Sequence, residues 1–172
     1  MPRRHRVYLD ETGATIAMTR LYGRAPPGQR VADTVPHCRW ESLTLLAAVR
    51  SERVVAALAY EGGTDAPVFE TFVERDLCPL LRKGDVVILD RLGAHLGRAV
   101  REAIEKVGAR VLPLPPYSAD LNPMEEVWSK VKGHLRSAKA RAIGPLIDAM
   151  ADALRSITRS DILAFFKHRS FH

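Results

Sequence analysis

The sequence lacks a hydrophobic segment long enough to cross a membrane. Its longest uncharged apolar runs, such as LTLLAAV at Leu43 to Val49, fall well short of the roughly 18 to 20 residues that a spanning helix needs. The basic N-terminus MPRRHRVYLD leads directly into a strand-like segment, without the apolar stretch and cleavage site of a signal peptide. We therefore expect a cytoplasmic protein with no membrane partner.

Cysteine is scarce, which excludes several kinds of site. Cys38 and Cys78 are isolated, and neither belongs to a CxxC motif or lies at the Cys/His spacing of a zinc finger. A disulfide framework and a structural zinc site are therefore not expected. We interpret both side chains as buried or neutral thiols.

Acidic residues are scarce in the last quarter of the chain. Residues 1 to 129 hold 17 Lys or Arg and 17 Asp or Glu, whereas residues 130 to 172 hold 9 and 3, so the whole net charge of +6 lies in this last part. Such a one-sided basic segment indicates a polyanionic partner such as nucleic acid. The alternative is a basic face that only keeps the protein soluble.

The first half of the chain predicts mainly strands. A length of 172 residues with 47% hydrophobic content suits one domain over residues 1–172. RVYLDETG reads as a strand followed by a glycine turn, and ATIAMTRLYG as its possible partner. RAPPGQRVADTVPHCRW reads as a long loop. LTLLAAVRSERVVAALAY reads as two strands joined at Ser51 and Glu52.

The second half alternates helices and strands. A helix capped at Thr64 or Asp65 precedes the apolar strand GDVVILD, and a helix that stops at Gly108 precedes the strand RVLPLP. Three helices follow, in a segment from about Pro123 to Ala140, in GPLIDAMADALRSI and in SDILAFFKH. The order predicts an α/β fold, a mixed sheet of antiparallel hairpin strands and parallel strands flanked by helices.

Two aspartates follow predicted strands. Asp10 lies at the end of the first strand and Asp90 at the end of VVILD. Ligands collect beyond the carboxyl ends of parallel strands, so both acids point to where chemistry usually occurs. Asp85 precedes the same strand and should lie at the opposite rim. For either aspartate taken alone, a turn or a helix cap is the alternative.

The stretch LPPYSADLNPMEEVW brings two glutamates to the start of a helix. At about 100° per residue, five apolar side chains share one face that should pack on the sheet, namely Met124, Val127, Trp128, Val131 and Leu135. Glu125 lies roughly 100° from the middle of that face and can lean over the strand ends. Glu126 lies roughly 155° away, and we expect it in water as the partner of Lys130. Pro123 restricts the turn and Asn122 is a plausible cap.

Basic residues extend from the proposed acid along the same helix. Lys132, Arg136 and Lys139 lie within about 40° of the Glu125 direction, as expected if a phosphate backbone follows the helix. A solvated basic face is the alternative. The loop from Arg20 to Trp40 adds further candidates, because it interleaves arginines, including Arg24 and Arg30, with aromatic residues. A surface hairpin between core strands explains that loop nearly as well.

Three carboxylates at one rim would repel each other without a counter-ion. Hard divalent cations with oxygen ligands resolve this repulsion, so the sequence predicts Mg²⁺ or Mn²⁺ at Asp10, Asp90 and Glu125, as two ions roughly 3.5 to 4 Å apart. One ion would activate a water or a 3′-hydroxyl, and the other would stabilise the leaving oxygen at phosphorus.

Three motifs carry a family resemblance. YLDETG, GDVVILDRLGAH and LPPYSADLNPMEEVW resemble, in order and wording, the catalytic motifs of DDE transposases of the mariner superfamily, in its bacterial insertion-sequence branch. Asp90 and Glu125 are separated by 34 residues, a spacing that this family uses. The resemblance covers most of the chain. It implies a ribonuclease H-like fold, a metal-binding triad of Asp10, Asp90 and Glu125, and a nucleoid-associated bacterial protein.

The same resemblance implies a substrate and partners. The substrate is double-stranded DNA, which is cut at the element ends and joined through a 3′-hydroxyl to a target that is typically a TA dinucleotide. The protein partner is a second copy of the chain in the active complex. The family recognises its ends through an N-terminal helix-turn-helix region, whereas this chain starts almost at the first catalytic strand. We therefore expect the second product of a split reading frame, a truncated copy or the catalytic part of a frameshifted fusion, with end recognition from a helix-turn-helix protein or domain encoded in an adjacent reading frame.

Two departures bear on activity. The family usually has Asn where this chain has Arg91 and Pro where it has Ala119. Arg91 could contact phosphate or weaken metal binding, and His95 could touch DNA or orient a neighbour. Three alternatives to a strand-transferase therefore stay open: a ribonuclease H-like nuclease that cuts without joining, an inactive or domesticated remnant that only binds DNA, and an unrelated α/β domain whose acids are caps.

Overall fold

A five-stranded mixed sheet forms the centre of the protein. The computed structural model describes residues 5–37, 41–90 and 97–169. The strands lie in the order β3-β2-β1-β4-β5. β1, β2 and β3 pair antiparallel, and β1, β4 and β5 pair parallel. The strand bounds are β1 Arg6–Thr15, β2 Ser42–Arg50, β3 Arg53–Glu61, β4 Val86–Leu89 and β5 Arg110–Pro113.

The first strand is longer than predicted. β1 pairs with β2 continuously from Val7↔Arg50 to Thr15↔Ser42, so Gly13 lies within the strand and not in a turn. The predicted turn at Gly13 and the partner strand ATIAMTRLYG are therefore wrong, because pairing with a distant strand overrides the local glycine signal. Residues 16–37 form one long loop, which begins earlier than the predicted start at Arg24. The hairpin between β2 and β3 turns at Ser51 and Glu52, as predicted.

In the part of the chain that the structure describes, five helices flank the sheet, and each predicted helix is confirmed. Asp65 caps the first, since its side chain accepts the N–H of Val68 at 3.0 Å. That helix continues into a π-helical turn, Val73–Leu77, and a 3₁₀ turn, Cys78–Leu80. The helix bounds are α1 Ala66–Phe72, α2 Arg98–Lys106, α3 Met124–Ala138, α4 Ile143–Arg155 and α5 Arg159–Arg169.

The helices cover the two faces of the sheet as separate layers. One core packs α1, its π-helical extension and α2 against residues such as Val7, Leu9 and Val87. The other packs α3, α4 and α5 against residues such as Tyr8 and Ile88. This architecture confirms the predicted α/β fold class, and the described helices include none long and apolar enough to cross a membrane. Cys78 is a buried free thiol, whereas Cys38 lies outside the described residues.

Asp85 lies at the amino end of β4, at the rim opposite Asp90, as predicted. It is fully buried and accepts hydrogen bonds from the Arg50 guanidinium at 2.7 Å and from the Arg82 backbone N–H at 2.7 Å. The His5 ring lies 3.3 Å from its other oxygen. Arg50 is itself buried and also donates to the carbonyl of Leu80. The cluster therefore joins β2 to the start of β4, far from the carboxyl rim.

We expect Asp85→Ala to lower the free energy of unfolding by roughly 3 to 5 kcal/mol, because it leaves the buried Arg50 charge without its partner. Denaturant unfolding followed by circular dichroism measures the change. Asp148→Ala, at an exposed position on α4, is the control and should cost less than about 0.5 kcal/mol. Equal losses in the two variants would contradict a structural role for the buried pair.

Candidate active site

Strand register brings Asp10 and Asp90 to the same place. β1 pairs with β4 as Tyr8↔Ile88, and continuing this parallel register by two residues sets Asp10 opposite Asp90. Tyr8 and Ile88 face the α3 layer, so the side chain of Asp10, two residues along β1, points to that layer too. Asp10 lies within β1 and not at its end, but beyond the part that pairs with β4.

Three donors hold the Asp10 carboxylate. Its Oδ1 accepts the backbone N–H of Glu11 at 2.8 Å. Its Oδ2 accepts the Asn122 side-chain amide at 2.9 Å and the Trp128 indole N–H at 3.2 Å. Two of these donors come from more than a hundred residues away, from α3 and the turn before it. The carboxylate is therefore fixed by contacts between layers.

Burial raises the pKa of Asp10 from its ordinary value of 3.8 to about 6. The hydrogen bonds from Glu11 and Trp128 oppose this shift, whereas the nearby charges of Glu11 and Asp90 add to it. Asp90 is half-buried just past the end of β4. The carboxylate of Asp10 thus carries an electrostatic cost that a cation at this rim would relieve.

α3 presents Glu125 in its first turn. All five residues of the predicted apolar face are buried, which confirms the helical phase: Met124, Val127, Trp128, Val131 and Leu135. Glu125 is exposed. The Asn122 side-chain oxygen accepts the N–H of Met124 at 3.1 Å, so Asn122 supplies the predicted capping contact although Pro123 occupies the N-cap position. One side chain therefore joins Asp10 to the helix that carries Glu125.

The donor set at this rim suits a hard divalent cation. Asp10 and Asp90 offer carboxylate oxygens close enough in space for one charge to affect the other. Across the described residues, however, no three His, Cys, Asp or Glu side chains lie close enough together to form a ready-made metal site. The sharing of metal ions by Asp10, Asp90 and Glu125 therefore stays a prediction.

Glu126 does not point into water, and its predicted pairing with Lys130 is wrong. It is half-buried beside the end of α5, where the Arg169 guanidinium lies 3.2 Å from its carboxylate and the His168 ring 3.4 Å. Lys130 instead pairs with Asp161 at the start of α5, and the hydrogen bonds from Lys130 and from Thr158 together lower the pKa of Asp161 to about 2. Two ion pairs therefore fasten α5 along α3.

The predicted DNA-binding residues differ in their surroundings. Lys132 and Arg136 lie half-buried along α3. Lys139 follows the helix in the left-handed conformation, with a φ of 50°, and pairs with Asp33 of the long loop. This turn ends α3 before the predicted Ala140. Arg24 and Arg30 are exposed in the loop, whereas Arg91 and His95 lie outside the described residues.

Two contributions were not predicted from the sequence. Trp128 was assigned only to the apolar face, yet its indole N–H reaches Asp10. Arg141, after α3, donates to the carbonyls of Ile16 and Met18 at 2.8 and 3.0 Å and so holds the start of the long loop. A tryptophan on an otherwise aliphatic helix face predicts a hydrogen-bond acceptor nearby, because a buried indole N–H usually finds one.

Comparisons with known proteins agree on one family. The model of the family described as DDE superfamily endonuclease matches residues 5–147. The chain is 28% identical over 102 residues to the transposable element Tcb2 transposase of Caenorhabditis briggsae. The aligned region covers 57% of this chain and 37% of that protein. The chain thus spans little more than a third of this relative.

Solved structures of Mos1 transposase share the fold. The TM-score is 0.77 to the Mos1 paired-end complex with left transposon end, at 19% identity over 96% of this chain and 52% of that one. It is 0.65 to the catalytic domain of Mos1 mariner transposase, at 15% identity over 95% of this chain and 76% of that one. At such identities the likeness shows the fold alone, and it agrees with the predicted ribonuclease H-like class.

We expect the raised pKa of Asp10 to make the protein less stable as pH rises. The folded state binds the proton of the Asp10 carboxyl group more tightly than the unfolded state does. The resulting stabilisation of the folded state is complete below pH 3.8 and is lost as pH rises through about 6. Asp10→Asn should remove this pH-dependent loss. Its free energy of unfolding should exceed that of wild type by on the order of 2 kcal/mol at pH 7.5, but by little at pH 4. Denaturant unfolding in EDTA measures both values, with Asp148→Asn as control. A gain that is the same at both pH values would contradict this assignment.

Proposed function

The chain belongs to the DDE superfamily endonucleases, and from that premise we propose that it is the catalytic domain of a transposase. It cuts DNA at the ends of an insertion sequence and joins the resulting 3′-hydroxyls to target DNA. The supporting observation is the juxtaposition of Asp10 and Asp90 at one rim, with the Glu125 helix tied to Asp10 by Asn122. The wording of the three motifs supports the bacterial insertion-sequence branch.

Asp10, Asp90 and Glu125 would hold Mg²⁺ or Mn²⁺, two ions per site. When bound, such ions lower the pKa of an attacking water or hydroxyl and offset charge at phosphorus. The protein's own part is to fix the carboxylates: Asn122 and Trp128 hold Asp10, and the buried face of α3 sets the direction of Glu125. Similar Mos1 structures are described with Mn and with Mg, which supports this choice of ion.

Double-stranded DNA is the proposed substrate, both as element ends and as a TA target. Lys132 and Arg136 would contact the phosphate backbone beside the site, and Arg24 and Arg30 would contact it from the long loop, since these side chains lie half-buried or exposed and carry positive charge. Arg91, directly after Asp90, and His95, five residues after Asp90, are further candidates. Lys139 joins this surface when its pairing with Asp33 opens.

The proposed assembly is a dimer on paired element ends, in a bacterial cytoplasm at the nucleoid. The Mos1 structures that share this fold include paired-end complexes, which supports such an arrangement.

Strand transfer separates the candidate activities. The protein is incubated with a pre-cleaved element end, target plasmid and Mn²⁺, and joined DNA is measured on a gel. We expect wild type to give joined product. Asp90→Asn and Glu125→Gln should each give at least about 100-fold less joined DNA, because each removes the charge of a metal ligand. Asp148→Asn is the control. Cutting without joining would identify a nuclease, and DNA binding without either reaction would identify an inactive remnant.

Lys132→Ala combined with Arg136→Ala should weaken DNA binding at low salt and make its salt dependence less steep. Losing two phosphate contacts reduces the slope of log K against log salt by about 2. Fluorescence anisotropy at several salt concentrations measures this slope. The matched control, Arg98→Ala with Lys106→Ala, removes the same charge from α2 on the opposite face of the sheet. Equal slopes for the two double variants would refute a specific role for the α3 residues.

A further inference from the structure

The asparagine before α3 makes two contacts that belong to different parts of the proposed site. Asn122 is the only asparagine in the chain, and it is buried. Its amide nitrogen donates to Oδ2 of Asp10 at 2.9 Å, while its amide oxygen accepts the N–H of Met124 at 3.1 Å. The amide N–H group of Asn122 therefore contacts β1, and its amide oxygen contacts the first residue of α3.

The donors are distributed unequally over the two oxygens of Asp10. Oδ2 accepts both Asn122 and Trp128, whereas Oδ1 accepts the backbone N–H of Glu11. Each carboxylate oxygen has about two lone-pair directions. Among the residues that the structure describes, the side-chain donors thus fill Oδ2, and Oδ1 keeps one direction open.

We propose that Asn122 and Trp128 are positioning residues that present Oδ1 of Asp10 to a divalent cation and set the start of α3 relative to it. This inference rests on the proposed function and assigns to it two residues that bind neither metal nor DNA themselves. Glu125 follows Met124 directly, so the contact that fixes the Met124 N–H also fixes the turn from which Glu125 projects.

The chemistry of the two donors fits this role. An amide and an indole N–H orient a carboxylate without cancelling its charge, since neither is ionised. A lysine or arginine at the same place would form an ion pair with Asp10 and compete with the cation. Partners of this kind, one step removed from the metal, typically change metal affinity about 10- to 100-fold when they are mutated.

Two conservative variants separate the contacts. Asn122→Ser keeps a short oxygen acceptor for the Met124 N–H but cannot reach Asp10. Trp128→Phe keeps the buried aromatic ring but loses the N–H. Mn²⁺ binding is measured by electron paramagnetic resonance of the free ion, without DNA or turnover. We expect each variant to bind Mn²⁺ about 10-fold more weakly than wild type, with Asp148→Asn unchanged.

A structural role would give a different result. If both variants lose unfolding free energy but bind Mn²⁺ as tightly as wild type, the positioning role is refuted. If wild type itself binds no Mn²⁺, the proposed function fails first. The positioning contacts are then tested on their own by the indole N–H resonance of Trp128, identified in a Trp40→Phe background. Asp10→Asn should shift this resonance and so should Asn122→Ser, and an unmoved signal in both would overturn the inference.

Discussion

The architecture around the site depends on one half-buried carboxylate, that of Asp10, and the groups that hold it. Asp10 lies in β1, which pairs antiparallel with β2 and parallel with β4. The backbone of Asp10 is therefore held in place by the sheet. Its burial disfavours the charged form, and neutral donors from the β1 backbone and from the α3 layer compensate in part. The layer that covers the sheet is thereby fastened to it through a polar contact at the carboxyl rim as well as through the core.

Opposite rims of the same sheet treat buried charge in different ways. At the amino end of β4, Asp85 is paired with Arg50, which neutralises it within the protein. At the carboxyl end, Asp10 and Asp90 lie near each other, and the donors identified on Asp10 are all uncharged. A carboxylate held by neutral donors keeps its negative charge, which favours cation binding. This contrast, and not the presence of acids alone, distinguishes the two rims.

Sequence patterns predicted the features that depend on local periodicity and on strand order. The apolar spacing of α3 identified its buried face, and the positions of Asp10 and Asp90 relative to apolar strands indicated a common rim. The failures involve tertiary partners. Gly13 stays in a strand because β2 pairs with it, and Glu126 turns to α5 because that helix packs beside it. Periodicity likewise showed that Trp128 is buried but not which acceptor its N–H would find.

The docking of α5 on α3 matters for judging a sequence by its acidic motifs alone. Phe166 of α5 lies edge-on against Tyr8 in the core, with ring centroids 5.0 Å apart, and Arg169 holds the glutamate next to Glu125. A chain that ended before α5 would keep all three acidic motifs but would expose that core and release the start of α3. The presence of the motifs in a related sequence therefore does not show that the α3 layer around them is intact.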